Sequence, residues 1–183
     1  MFRRRPVRRI LRAARPGPKV LLNKAHVLFN QGKYVRSAEI FENLAEGALR
    51  RGIPRAPYLF IQAGRARFYA GQAAIGLTQV KRGLKLFADK QRWGELYRTG
   101  KRVVSELAER GFKEQSEAIS EWLIETLPPK AEEEIKAKAA VESKHPALPL
   151  KCPSCGGSVD PGEVQWLDAV TAECVFCGSS LRA

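Results

Sequence analysis

The residues best equipped for chemistry are four cysteines, Cys152, Cys155, Cys174 and Cys177, and the chain has no others. They stand in two pairs, Cys152-Pro153-Ser154-Cys155 and Cys174-Val175-Phe176-Cys177, with eighteen residues between the pairs. A two-residue gap lets both thiolates of one turn face the same ion, and two such turns supply four sulfurs in a tetrahedron. Paired spacing of this kind favours a zinc site; two disulfides or four idle thiols are the competing readings. Each pair is followed by glycine, Gly156 and Gly178, whose lack of a Cβ lets the backbone turn over the sulfur at positive φ. Four protein ligands leave no coordination position for water or substrate, so the site reads as structural. So small a segment buries little core of its own, and metal binding would supply its folding free energy.

The residues between the pairs suit a small hairpin. Asp160-Pro161-Gly162 is a turn signal, Glu163-Val164-Gln165-Trp166 alternates, and Leu167-Asp168-Ala169 turns the chain back towards Val170 and Ala172. With knuckles of the form CPxCG and CxxCG, the stretch from about Leu148 to Leu181 resembles the zinc-ribbon family. Rubredoxin-like iron sites use the same knuckles, so iron, and with it electron transfer, is the alternative to Zn2+.

Other chemistry is thin. The two histidines are His26, among apolar residues and read as a packed or surface side chain, and His145, which could ligate a metal only by displacing a cysteine. Gly64 and Gly71 lack the trailing Lys-Ser or Lys-Thr of a phosphate-binding loop. Glu132, Glu133 and Glu134 read as a solvated face. The expectation is a protein without catalytic residues.

The formal net charge of +13 is unevenly spread. Residues 1–19 carry seven Arg, one Lys and no acid, and residues 50–102 hold 13 bases against two acids. Residues 146–183 hold two bases against four acids. The ribbon is therefore a poor candidate for contacting phosphates, which need local Lys and Arg. The first segment, with Arg3, Arg4, Arg5, Arg8, Arg9 and Arg12, is read as a basic arm. Its Val7, Ile10, Leu11 and Ala14 permit a short amphipathic helix, and it suits an anionic membrane surface, nucleic acid, an acidic partner, an organelle transit peptide or a solvated tail. It lacks the apolar stretch of a secretory signal, and no run of about eighteen apolar residues predicts a transmembrane helix.

From residue 20 to 127 the pattern is helical. Apolar residues recur at helical spacing in six segments: Leu21, Ala25 and Leu28; Ala38, Phe41, Leu44 or Ala45, and Leu49; Phe60, Ala63, Gly64 and Phe68; Val80, Leu84 and Phe87; Trp93, Leu96, Gly100, Val103 and Leu107; Phe112, Ile119, Trp122 or Leu123, and Leu127. Pro128-Pro129 stops the sixth. The turn glycines Gly32, Gly71 and Gly111 are 39 and 40 residues apart, which predicts three helical hairpins. Gly32-Lys33-Tyr34-Val35-Arg36-Ser37-Ala38-Glu39-Ile40-Phe41 resembles the turn of a tetratricopeptide repeat, with Ser37 at the small position, Phe41 at the aromatic one and Ala25 at the small site of the preceding helix. Gly64, Gly71, Gly76 and Val80 fall at the corresponding places of a second unit, while the third keeps only Gly111 and Phe112. The period exceeds the roughly 34 residues of standard repeats of that family. Residues 130–143 read as a seventh helix, with acids in its first turn and lysines after, followed by an extended linker at His145 to Pro149.

The predicted organisation is a basic arm (1–19), a helical domain (20–127), a helix and linker (128–147) and a zinc ribbon (148–183). The pairing resembles bacterial regulatory and assembly accessory proteins. It implies a non-catalytic cytoplasmic adaptor whose hairpins offer a surface to a protein partner. The basic middle hairpins, with Arg65, Arg67, Lys81, Arg82, Lys85, Arg98, Lys101 and Arg102, point to an acidic one. The alternative is binding to RNA, DNA or an anionic membrane surface through these residues and the arm.

Overall fold

The computed structural model describes residues 16–129, 131 and 146–183. The arm up to residue 15, most of the seventh helix expected over 130–143, and His145 lie outside the described residues. Among the described residues six helices come first: α1 (Pro18–Asn30), α2 (Tyr34–Arg50), α3 (Ala56–Tyr69), α4 (Ala73–Ala88), α5 (Trp93–Glu109) and α6 (Lys113–Thr126). They pack as antiparallel pairs, α1 with α2, α3 with α4 and α5 with α6, and successive pairs stack through α2 on α3 and α4 on α5. Three short strands follow, β1 (Gln165–Trp166), β2 (Thr171–Glu173) and β3 (Ser180–Arg182), in one antiparallel sheet of order β1-β2-β3.

All five turns between helices are built alike. A residue in the left-handed region follows each helix: Gly32, Gly52, Gly71, Gln91 and Gly111, with φ of 75°, 65°, 75°, 54° and 87°. The next residue returns its N–H to a carbonyl five residues back: Lys33 to Leu28, Ile53 to Ala48, Gln72 to Arg67, Arg92 to Phe87 and Phe112 to Leu107, each at 2.9 Å. This is the Schellman closure, which satisfies helix-end carbonyls and reverses the chain. The turns recur every 19 or 20 residues, so each hairpin repeats after 39 or 40.

Within each hairpin the two helices approach at residues twelve apart. Ser37 Oγ donates to the Ala25 carbonyl at 2.8 Å, and Ser116 Oγ donates to the Val104 carbonyl at 2.9 Å. Between them the contact is glycine on glycine. A Cβ on Gly64 would stand 2.7 Å from the Gly76 carbonyl oxygen and 2.6 Å from Val80. The third unit thus carries the same small-residue contact as the first, through Ser116, although its sequence shows little of the repeat signature. Gly64→Ala is expected to destabilise the fold by about 2 kcal/mol, because an overpacking cost of about 3 kcal/mol outweighs the roughly 1 kcal/mol gained in helix propensity. Gly47→Ala, where a Cβ would meet only the flexible Arg51 guanidinium at 3.4 Å, should be neutral to stabilising. Urea unfolding of both variants checks the opposite signs.

The core runs along the helix pairs and into the ribbon. Phe41, Phe60, Phe68, Val80, Leu84, Phe87, Leu96 and Ile119 are fully buried, and the same apolar cluster includes Phe176, Ala172 and Leu181. Helix α1 departs from the expected face: Leu22, Ala25 and His26 are buried, whereas Leu21 and Leu28 are half-buried. That rotation aims His26 inward. α3 is buried nearly all round, since α2, α4 and the ribbon each take one side of it.

Candidate metal centre and the face it covers

The two cysteine pairs sit on matching backbone turns. In the first, Gly156 N–H donates to the Cys152 carbonyl and Cys152 N–H to the Gly157 carbonyl, both at 2.8 Å. In the second, Gly178 N–H donates to the Cys174 carbonyl at 2.9 Å and Cys174 N–H to the Ser179 carbonyl at 3.0 Å. Gly156 and Gly178 hold φ of 71° and 73°, a conformation that costs a residue with a Cβ. β2 and β3 lock the second turn, with Ala172 opposite Leu181 and Glu173 opposite Ser180. The loop between the pairs is closed by two aspartates: Asp160 Oδ1 accepts from Gly162 N–H at 2.9 Å, and Asp168 Oδ1 accepts from Val170 and Thr171 N–H at 2.9 and 2.7 Å.

These turns bring all four Sγ atoms within 4.8 Å of one another. Cys152 and Cys177 sulfurs lie 3.7 Å apart, and Cys155 and Cys174 sulfurs 3.8 Å apart. Four sulfurs at about 2.3 Å from a tetrahedral ion would be separated by about 3.8 Å, so the cluster has the size of a metal tetrathiolate. The pairs are not disulfides: all four cysteines are free thiols. Electrostatics agree. The hydrogen bond to Cys174 and burial push the Cys155 thiol up, while acceptance of that bond holds the Cys174 thiol down. Sulfurs this close and this buried ionise together only around a cation. Such a cation, held by Cys152, Cys155, Cys174 and Cys177, would cross-link the two turns, and its coordination shell would be filled by the protein.

The ribbon is not a free appendage. It sits on the face made by the first helix of every pair, α1, α3 and α5. Phe176, between the two cysteines of the second turn, enters that face. Its ring lies edge-on to His26 of α1 at 5.3 Å and to Tyr58 of α3 at 6.5 Å. Charges close round it: Glu173 pairs with Arg55 at the start of α3, and Glu163 with Arg102 of α5 at 2.5 Å, with Asp160 at 3.4 Å from the same guanidinium. Both turns approach too closely for side chains. A Cβ on Gly157 would come within 2.6 Å of Phe176 and 2.9 Å of His26 Nε2, and one on Gly178 within 2.6 Å of the Arg55 guanidinium.

His26 is held neutral here. Burial, and then the charge of Arg65, lower its pKa from the usual 6.5 to about 4. The unfolded chain therefore takes up the proton first. Stability is unaffected above pH 6.5 and falls as pH drops from there towards 4, by about 1.4 kcal/mol per unit. His26→Leu should remove this slope, so that between pH 6.5 and 5 the wild-type chain loses about 2 kcal/mol more than the variant in urea titrations.

The basic residues singled out in the middle hairpins divide into two groups. Arg65, Arg98 and Arg102 come together beside the ribbon, where Arg65 also bonds Glu106 at 2.8 Å and Gln62 at 3.1 Å. Arg67 and Arg82 instead reach back to α2, Arg67 to Glu42 at 2.8 Å and Arg82 to Glu46, while Arg82 also stacks over Phe60 at 4.3 Å. Lys85 pairs with Asp89 one turn on at 2.8 Å. Lys81 is half-buried and Lys101 exposed. Sequence reasoning missed Arg55, Tyr58 and Phe176; His26, read as a packed or surface side chain, is packed against Phe41 and Phe176. Only the position of Phe176, bracketed by two ligating cysteines, offered a signal.

Two spaces flank the seat. A cleft of 480 Å³ opens between the starts of α3 and α5 and the ribbon, lined by Arg55, Tyr58, Arg92, Arg98, Trp166 and Glu173 among others. A small space of 20 Å³ lies under the ribbon among Gln62, Arg65, Thr99, Arg102 and Glu163. Among the described residues no helix is long and apolar enough to cross a membrane. Set against known proteins, the chain finds no counterpart: no protein-family model, curated protein or solved structure matches it.

Proposed function

We propose that this protein is a non-catalytic interaction adaptor: a short stack of tetratricopeptide-like hairpins that presents a partner surface, with a zinc ribbon whose metal is structural. The observation that carries the reading is the seating of the ribbon across α1, α3 and α5. A stack of hairpins offers the face of its first helices as a continuous surface, and here a folded polypeptide already lies on it, recognised by an aromatic anchor and ion pairs. The 39- or 40-residue period, the shared turn closure and the small-residue contacts at equivalent positions support the repeat assignment. The sulfur separations fit zinc, and a shell of four thiolates gives the ion no open position for a reaction. The reduced thiols suit the cytoplasm.

The test has two parts. Elemental analysis of the purified chain should find one zinc per chain and a colourless protein; a red, iron-loaded protein would point to electron transfer. Immobilised full-length chain should capture a specific protein from cell extract at physiological salt. Capture of nucleic acid or of anionic vesicles instead, lost steeply with added salt, would replace the adaptor reading with a phosphate-binding one.

A further inference from the structure

The ribbon shows what the helical face recognises. Three features define the seat. An aromatic ring fits between His26 and Tyr58, at 5.3 and 6.5 Å between centroids. One carboxylate, three residues before that ring, meets Arg55. A second acidic group, Glu163 with Asp160, meets Arg102. Arg55 and Arg102 belong to the strongly basic block of the helices, and the ribbon that faces them is acidic.

Beside the apolar cluster that Phe176, Ala172 and Leu181 share with the helices, the contact carries a polar flank of the kind found in interfaces. Cores are apolar and closely packed, whereas interfaces that form and break keep polar groups and trapped space. Beneath the ribbon lie Gln62, Arg65, Thr99, Arg102, Glu106 and Glu163 around a 20 Å³ space, room for about one water. Arg65 Nε at this space, and His26 Nε2 beside Phe176 and Gly157, are buried without a hydrogen-bond partner. Buried polar atoms are ordinarily paired, and leaving one unpaired costs free energy. A ligand that brought an acceptor to Arg65 Nε and a polar partner to His26 Nε2 would bind the seat better, contact for contact, than the ribbon does.

The metal site is coupled to this seat through the chain itself. Phe176 lies between ligands Cys174 and Cys177, and Glu173 precedes Cys174 directly. The ion that fixes the second turn therefore also fixes the anchor and one of the carboxylates.

We propose that the groove formed by His26, Arg55, Tyr58, Arg65 and Arg102 is the binding site for an acidic segment of a partner protein carrying an aromatic residue three positions after a carboxylate, and that the metal-loaded ribbon occupies this site in cis and competes with that partner. The proposal rests on the adaptor reading and names its surface and its ligand. Competition is strong because the ribbon is tethered: a linked competitor acts at an effective concentration in the millimolar range. The partner's apparent affinity is reduced by the fraction of chains in which the groove is free.

The experiment uses the full-length chain and a fluorescent peptide copying residues 160–181 with serine at both cysteine positions, so that it cannot take up metal. Polarisation is read for the zinc-loaded chain, the chelator-stripped chain and the zinc-loaded Phe176→Ala chain, each checked for unchanged helical circular dichroism. The expected result is binding at least tenfold tighter to the stripped and Phe176→Ala chains than to the loaded wild type. In the stripped chain Arg55→Glu with Arg102→Glu should abolish it, and so should alanine at the peptide's aromatic position. Equal binding to loaded and stripped chains would overturn the competition. Binding that survives the double charge reversal, or that needs only the peptide's acidic residues, would overturn the groove. Protein capture by the loaded chain that is indifferent to the Arg55→Glu and Arg102→Glu changes would leave the adaptor reading in place and assign it to another face.

Discussion

Replacing Cys174 by serine will unfold the ribbon and leave the six helices standing. The ribbon's own apolar interior is small, with Val164, Ala172, Phe176 and Leu181 as its buried members apart from the cysteines. Its strands are two or three residues long, and strand pairs of that size are marginal in water. Structural tetrathiolate zinc contributes on the order of 10–16 kcal/mol to the folding of small metal domains. A serine hydroxyl is a poor ligand that stays protonated, so this contribution largely disappears. The helices do not depend on it in the same way. They close their own turns, and Phe41, Phe60, Phe68, Leu84, Phe87 and Ile119 are packed within the helix pairs. Hydrogen exchange should therefore show lost protection at Thr171–Glu173 and Ser180–Arg182, with α2, α3 and α4 still protected. Helical circular dichroism should stay close to wild type. A single cooperative loss of ribbon and helices together would show that the ribbon is part of one folding unit rather than a docked module.

What could be read from the sequence, and what could not, follows from the range of each contact. The cysteine turns are local. Four residues and a glycine encode each one, and only the pairing of two turns is long-range, which the metal chemistry supplies. The helices are legible for the same reason, down to the buried Val80, Leu84 and Phe87. The turn at Gln91 was harder to see because no glycine marks it; its closure is nevertheless the same as at Gly71. The third hairpin looked unlike the others because its signature residues are absent, yet the one contact the geometry needs, a small side chain twelve residues from its partner, is present at Ser116.

The seating of the ribbon was the least legible feature. Arg55 and Glu173 are 118 residues apart, and neither has a local pattern that names the other. Counting charge by segment separated a basic middle from an acidic tail without showing that the two meet. It also hid how many of the basic residues are used within the helices. Arg67 and Arg82 answer Glu42 and Glu46, acids from a segment that is neutral overall. Part of the basic surface is likewise answered by acids of the ribbon, where Glu173 meets Arg55 and Glu163 meets Arg102.

That contact can be weighed with Arg102→Leu. Glu163 is nearly buried, with 9% of its side chain exposed, and Arg102 is its closest cation. Burial raises the Glu163 pKa above the usual carboxylate range even with Arg102 beside it, because desolvation outweighs the guanidinium and Asp160 adds repulsion. Removing one partner of such a pair costs about 3–5 kcal/mol when both groups are fully buried. Arg102 is one-third exposed, so solvent offsets part of the loss and about 2–3 kcal/mol is expected at neutral pH. The pH dependence carries the diagnosis. A carboxyl whose folded pKa is raised binds its proton more tightly in the folded chain than in the unfolded one, so stability declines as pH climbs from the unfolded value towards the folded one. Without Arg102 the folded value rises further, so the defect should be largest at neutral pH and should shrink as the pH falls and Glu163 takes up its proton. Glu163→Gln in the Arg102→Leu background should restore most of the loss at neutral pH and flatten the profile, a coupling that a double-mutant cycle in urea measures directly. A defect that does not change as the pH falls and is not rescued by Glu163→Gln would mean that Arg102 acts through its packing, and that the ion pair contributes little to holding the ribbon on the helices.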